Sequence, residues 1–292
     1  MKSIIILLTL FLSFTNSCRI LSLSGGGSHG AFEAGVIESL VNQNNSWQVL
    51  AGVSAGSLNA AFFGRYDDPF NASQHLRDIW ENLDNRDVFK IRPNKLNLLD
   101  SSPLKETIKK NLDITQYTTN IYPTLIGLTN IENGKFYIEN ILDQENVSNI
   151  LLGSSAIPIV FPPVEINNSY YIDGGTDCNE IISQGINYCL NEAESNIEMD
   201  LILSYNPYMK FNNQNPNNMI EYAESVLKII FNNYNDMTYK LLNVCHYSKK
   251  IADINLYYPK ENIDVSILNF KKGKEIYNLG LDSYIVEHHQ YC

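Results

Sequence analysis

The chain has 292 residues, an apolar fraction of 44% and a formal net charge of −11. That charge excludes a nucleic-acid binder, which neutralises phosphates with clustered lysine and arginine, and it argues against general adhesion to anionic membranes. The apolar fraction suffices for a core, and none of the five cysteines stands in a Cys-x-x-Cys pair, so no zinc ribbon is expected.

Met1-Lys2 is a short basic start, followed by an apolar run from Ile4 to Phe14 and then Thr15-Asn16-Ser17. This order is that of a secretory signal peptide, with cleavage expected after Ser17. The run falls short of the about 20 apolar residues that span a bilayer. Residues 18–292 then read as one domain, secreted or held in the lumen of the secretory pathway. Sequons at Asn44, Asn71, Asn146 and Asn167 fit a glycoprotein of that pathway. Disulfides become possible there, and the odd cysteine count leaves at least one thiol free or paired between chains.

Arg19 to Ser24 alternates as a first strand and feeds into Gly25-Gly26-Gly27-Ser28-His29-Gly30. Phe32, Val36, Ile37 and Leu40 follow at helical spacing. Trp47 to Ala51 reads as a buried strand before Gly52-Val53-Ser54-Ala55-Gly56. Helices are expected over Ser73–Leu83, from Pro103 through about Asn111, and over Val147–Ala156. Tyr122–Thr129 and Lys135–Tyr137 form a hairpin across Asn133-Gly134. Tyr170 to Ile172 is a short strand ending at Asp173-Gly174-Gly175, and Leu201–Ser204 is another. A long helical stretch over Met219–Cys245, a strand over Ile254–Tyr258 and a terminal helix from Lys274 to about Val286 complete the chain. Strands alternating with helices imply an α/β fold, a three-layer sandwich around a mainly parallel central sheet.

Gly52-x-Ser54-x-Gly56 between a strand and a helix is a nucleophile elbow, in which a sharp turn pushes the central side chain out of the sheet end. Ser54 is the candidate nucleophile. The earlier glycine loop also links a strand to a helix, so its N–H groups can hold an anion. Gly25-x-Gly27-x-x-Gly30 matches a dinucleotide fingerprint, but that motif needs an acidic residue roughly 20 positions on. No Asp or Glu lies between Glu38 and Asp67. A Walker loop fails for want of Lys-Ser/Thr after the last glycine. An oxyanion hole is the use that remains.

Ser54 requires a base. A Ser-His-Asp triad could draw on His246 or His288, although neither sits in a glycine-flanked loop. Asp173 does, at a strand end before two glycines. An aspartate with a pKa of about 3.9 is a poor base, but desolvation in a closed cleft raises it.

Four segments in this order resemble the patatin-like phospholipases: Gly25-Gly26-Gly27-x-x-Gly30, Gly52-x-Ser54-x-Gly56, Ser154-Ser155-Ala156-Ile157-Pro158-x-x-Phe161-Pro162-Pro163, and Asp173-Gly174-Gly175 with Asn179 after it. Trp80-x-x-Leu83, the stretch from Leu98 to Leu104 and the hairpin around Gly134 echo the same family. The resemblance implies Ser54 as nucleophile, Asp173 as its partner, and Gly25, Gly26 and Gly27 lining the oxyanion hole. It implies hydrolysis of phospholipid or galactolipid acyl esters through an acyl-enzyme, at a transient membrane or micelle surface, with no cofactor, no metal and no protein partner. The family usually carries Arg or Lys where His29 stands, which implies reduced or pH-dependent activity. His29 is also the one sequence feature behind the competing expectation, a lipid-binding protein that keeps the fold without the chemistry. Ser154 and Ser155 are expected to pack as a wall beside Asp173.

Overall fold

A computed structural model describes residues 17–91, 98–113, 121–142, 146–192, 196–208 and 250–292, with 216, 218–219, 221–226 and 229–230. Residues 1–16 of the expected signal peptide and most of the helical stretch over residues 219–245 lie outside the described residues, although 221–226 are helical.

Five strands run parallel at the centre: β1 (Ser17–Leu23), β2 (Val49–Val53), β5 (Thr124–Asn130), β9 (Asn196–Ile202) and β10 (Ala252–Pro259). β6 (Phe136–Asn140), β8 (Ser169–Asp173) and β11 (Tyr284–Tyr291) join them antiparallel, and β7 (Val164–Ile166) pairs β8. The order across the sheet is β11-β10-β9-β1-β2-β5-β8-β7, with β6 also beside β5. β3 (Lys90–Ile91) and β4 (Leu99–Asp100) form a separate ribbon.

Strand periodicity sorts the core into two layers. Leu21, Leu23 and Leu50 face one cluster, with side chains from α1 (Gly30–Asn42), α2 (Ala55–Phe63), α3 (Pro69–Asn82), α4 (Asn85–Val88), α5 (Ser102–Leu112), α6 (Val147–Ser154) and α8 (Gly273–Asp282). Ile20, Val49 and Ala51 face the other, with Ile186 and Cys189 of α7 (Ser183–Asn191). The three-layer α/β arrangement expected from the sequence is therefore present. A Cys18–Cys189 disulfide ties β1 to α7 across 171 positions, Cys292 is also disulfide-bonded, and Cys178 is a free thiol among the described residues.

Three expectations need correction. The terminal helix stops at Asp282, and Tyr284 to Tyr291 is an edge strand. Its aromatic and β-branched start, Tyr284-Ile285-Val286, suits a pleated surface better than a helix. β9 begins at Asn196, before the apolar run, because its Asp200 is buried without penalty. That carboxylate accepts bonds from Arg19, Trp47, Asn255 and Tyr257. α3 starts at Pro69, earlier than Ser73, because the Asp68 side chain caps it through the Phe70 N–H.

Candidate active site

β2 ends at Val53 and α2 starts at Ala55, so Ser54 alone makes the turn, at φ 54° and ψ −121°. A left-handed serine is strained, and such strain gathers where a side chain must be aimed. The tightness shows at Gly56, where a Cβ would lie 2.5 Å from the Ser24 carbonyl oxygen, and at Gly52, where it would lie 2.3 Å from that of Gly56. Ser154 steadies the elbow: its Oγ accepts the Ser54 N–H at 2.9 Å and donates to the Gly127 carbonyl at 2.7 Å. Ser155 Oγ donates to the Ser54 carbonyl at 3.4 Å. Both serines thus hold backbone, as a wall should.

Strand register delivers Asp173. Val53 pairs with Gly127, and the next β5 residue, Leu128, pairs with Asp173. The residue after Val53 is therefore level with Asp173 across the sheet. Ser54 Oγ donates to Asp173 Oδ2 at 2.6 Å, and Gly175 N–H donates to Oδ1 at 2.9 Å. Asp173 is fully buried and Ser54 is 3% exposed. Burial pushes the Asp173 pKa up to about 7, against the lowering bonds from Ser54 and Gly175. A carboxylate with that pKa is poised to exchange a proton near neutrality.

The glycine loop lies alongside. A Cβ on Gly25 would come 3.1 Å from Ser54 Cβ and 2.5 Å from Asn179 Oδ1. The Gly25 N–H is already bonded to Asn179, through its side-chain Oδ1 at 3.2 Å. Gly26 and Gly27 donate no backbone hydrogen bond among the described residues. Gly27, at φ 58°, also lines the void in front of Ser54. Ala55, as the first residue of α2, has no intrahelical acceptor for its N–H. His29 does not reach toward Ser54. Its Nε2–H donates to the Val265 carbonyl at 2.8 Å, which anchors the loop to the segment before α8.

A buried polar chain, invisible in the local motifs, sets the loop's position. Glu33 on α1 is fully buried beside Ser24 Oγ at 3.1 Å and Asn59 Nδ2 at 3.1 Å. Ser24 Oγ lies 3.3 Å from Ser204 Oγ, which donates to the Gly25 carbonyl at 2.9 Å. Asn59 also donates to the Gly30 carbonyl and accepts from Trp80 Nε1. Both ends of the glycine loop are thereby tied to α2. Desolvation holds the Glu33 pKa well above the ordinary carboxylate range, against bonds from Asn59 and Ser24. Ser24 Oγ donates to Glu33 Oε1, and Ser204 Oγ donates to the Gly25 carbonyl.

In front of Ser54 opens a void of about 620 Å³, counting its mouth. It is narrow. Leu58, Phe62, Ile79, Trp80, Ile108 and Phe161 are among its mostly apolar walls.

The triad alternative fails for His288. It lies on β11, four strands from β2, or roughly 19 Å at the usual strand spacing. Its Nδ1 bonds Asn255 Oδ1 at 2.7 Å. His246 lies outside the described residues.

A family model described as patatin-like phospholipase matches residues 21–182, which hold the glycine loop, Ser54, Ser154 to Pro163 and Asp173. The chain belongs to the patatin-like phospholipase family. This patatin-like chain is 25% identical over 186 residues to a probable lipid hydrolase, 463L, of Invertebrate iridescent virus 6. The match covers 58% of this chain and 64% of that protein's length. Among solved structures it is similar to VipD from Legionella pneumophila, at 12% identity and a TM-score of 0.43, covering 94% of this chain and 68% of the other. It is also similar to ExoU of Pseudomonas aeruginosa, crystallised with SpcU, at 11% identity and a TM-score of 0.34, covering 93% and 54%. Likeness at that level says nothing about chemistry.

Proposed function

We propose that the protein is a lipid acyl hydrolase working through Ser54 and Asp173. The observation that carries this reading is the 2.6 Å bond between the strained Ser54 hydroxyl and a desolvated Asp173, at the end of a narrow apolar channel. Asp173 takes the Ser54 proton while Oγ attacks the ester carbonyl. The developing oxyanion meets the N–H groups of Gly26, Gly27 and Ala55; Gly25 serves as a close-packed support for the hole, since its own N–H is taken by Asn179. Collapse of the tetrahedral species breaks the ester C–O bond, and the proton passes from Asp173 to the departing alcohol. Water, deprotonated by Asp173, then releases the fatty acid and regenerates Ser54.

The void is narrow, and its mostly apolar walls suit the acyl part of a lipid. Family membership and the probable lipid hydrolase among its relatives support a phospholipid or similar lipid as substrate. A secretory-pathway location is part of the same reading. The Cys18–Cys189 disulfide requires an oxidising compartment, and all four sequon asparagines are exposed. The test is release of fatty acid from phosphatidylcholine by the purified chain. Wild type should release it, whereas Ser54→Ala and Asp173→Ala should not; equal release by Ser54→Ala would sink the proposal.

A further inference from the structure

The segment that walls the channel makes a tight turn whose apex is built against the protein's own interest. Phe161 N–H donates to the Ile157 carbonyl at 2.8 Å, closing a turn with Ile159 inside it. Ile157 and Phe161 line the channel to Ser54. Ile159 points away from it, 50% exposed. Its φ is 71°, in the left-handed region, where a β-branched residue is a genuine outlier. Glycine or asparagine would hold this turn without strain, and a polar side chain would be at ease in water. Isoleucine is the wrong residue on both counts, and its side chain belongs to neither of the two buried apolar clusters.

A second exposed isoleucine stands close by. The Leu98 N–H donates to the Ile159 carbonyl at 3.2 Å and the Leu99 N–H to the Val160 carbonyl at 2.9 Å. Leu99 in turn pairs with Ile91, which is 76% exposed, the highest value among the large apolar side chains described. Two strand spacings, about 10 Å, separate the backbones that carry the two isoleucines.

We infer that Ile159, with Ile91 beside it, is an apolar prong that seats the channel mouth on a zwitterionic lipid surface. The inference rests on the lipid-hydrolase reading for its partner. The mouth continues into a mostly apolar bore, so a lipid layer is the surface that offers both a return on the exposed isoleucines and an apolar chain matched to the walls. A net charge of −11 favours uncharged headgroups over anionic ones.

The test is sedimentation of the full chain with phosphatidylcholine vesicles, in the Ser54→Ala form so that binding is read without turnover. Ile159→Asn suits the left-handed backbone and removes the apolar side chain; Ile159→Leu keeps it. Binding should fall about tenfold or more in Ile159→Asn, with an unchanged or higher melting temperature, and persist in Ile159→Leu. A smaller drop, about threefold or more, is expected for Ile91→Asn. Unchanged binding in Ile159→Asn, loss in Ile159→Leu, or no vesicle binding at all would overturn the inference. Cleavage of a soluble short-chain ester by the Ser54 protein, run alongside, reports on the hydrolase reading separately.

Discussion

Ser54 Oγ and Asp173 Oδ2 lie 2.6 Å apart although 119 positions separate them in the chain. The parallel pairing of β2 with β5 and the antiparallel pairing of β5 with β8 bring the two to the same level of one sheet. On the proposed mechanism, the carboxylate that this register delivers accepts the proton with no histidine between it and the hydroxyl.

Asp173 sets the pH dependence. Its pKa is raised by burial from 3.8 to about 7, so the carboxylate form that accepts the Ser54 proton fills as pH rises through about 7. The activity of the free enzyme should climb on that limb and flatten above it. Stability should run the other way. The folded state holds a proton that the unfolded chain releases near 3.8, so stability is fully present below that pH and is lost as pH rises through about 7. The loss is on the order of 4 kcal/mol. Thermal melts of wild type beside Asp173→Asn should show the variant more stable at pH 8 and the difference shrinking toward pH 4.

Glu33 positions the glycine loop through its bonds with Ser24 and Asn59, and burial raises its pKa. Gln keeps the shape of the side chain, with a carbonyl oxygen that accepts and an NH₂ that donates. Glu33→Gln should therefore keep ester cleavage within a few-fold. Glu33→Ala should lower kcat more than tenfold and cost roughly 3 kcal/mol, because buried polar partners are left unmade. Urea unfolding and kcat measured on both variants check this. Equal losses in Gln and Ala would mean that the negative charge matters instead.

Histidine should be dispensable to the chemistry. His288→Gln and His246→Gln are each expected to change the rate on a soluble ester less than about threefold. A drop on the order of 10⁴ in either would match a broken triad.

The Cys18–Cys189 bridge closes 171 positions and pins β1, the strand that feeds the glycine loop, to α7. Cys189→Ala should lose about 2–5 kcal/mol, read as an earlier midpoint in guanidinium.

Much of this was readable from residues alone where turn chemistry is local. Gly52 and Gly56 around one serine, three glycines after a strand, and Asp173 before two more each announce a chain that must bend sharply at a strand end. The tertiary partners carry no such mark. Glu33 is an ordinary helix residue until Ser24 and Asn59 close around it, and Ser204 acts on Gly25 only because β9 lies beside β1. Asp200 hid half of a strand by interrupting an apolar run that tertiary hydrogen bonds make good. The helix expected from Lys274 to about Val286 overruns Tyr284 to Val286 because their strand pattern shows only against the edge that β10 offers. Gly25 was grouped with its neighbours as a donor, and only the contact with Asn179 separates them.

The central claim is that Ser54 is a nucleophile activated by Asp173. Treatment of the purified chain with a fluorophosphonate, followed by mass mapping of the peptide that contains residue 54, tests it most directly. A single adduct on Ser54 in wild type, absent in Ser54→Ala and formed at least a hundredfold more slowly in Asp173→Ala, is the predicted result. An adduct on a different residue, or undiminished labelling of Ser54 without the Asp173 carboxylate, would contradict it.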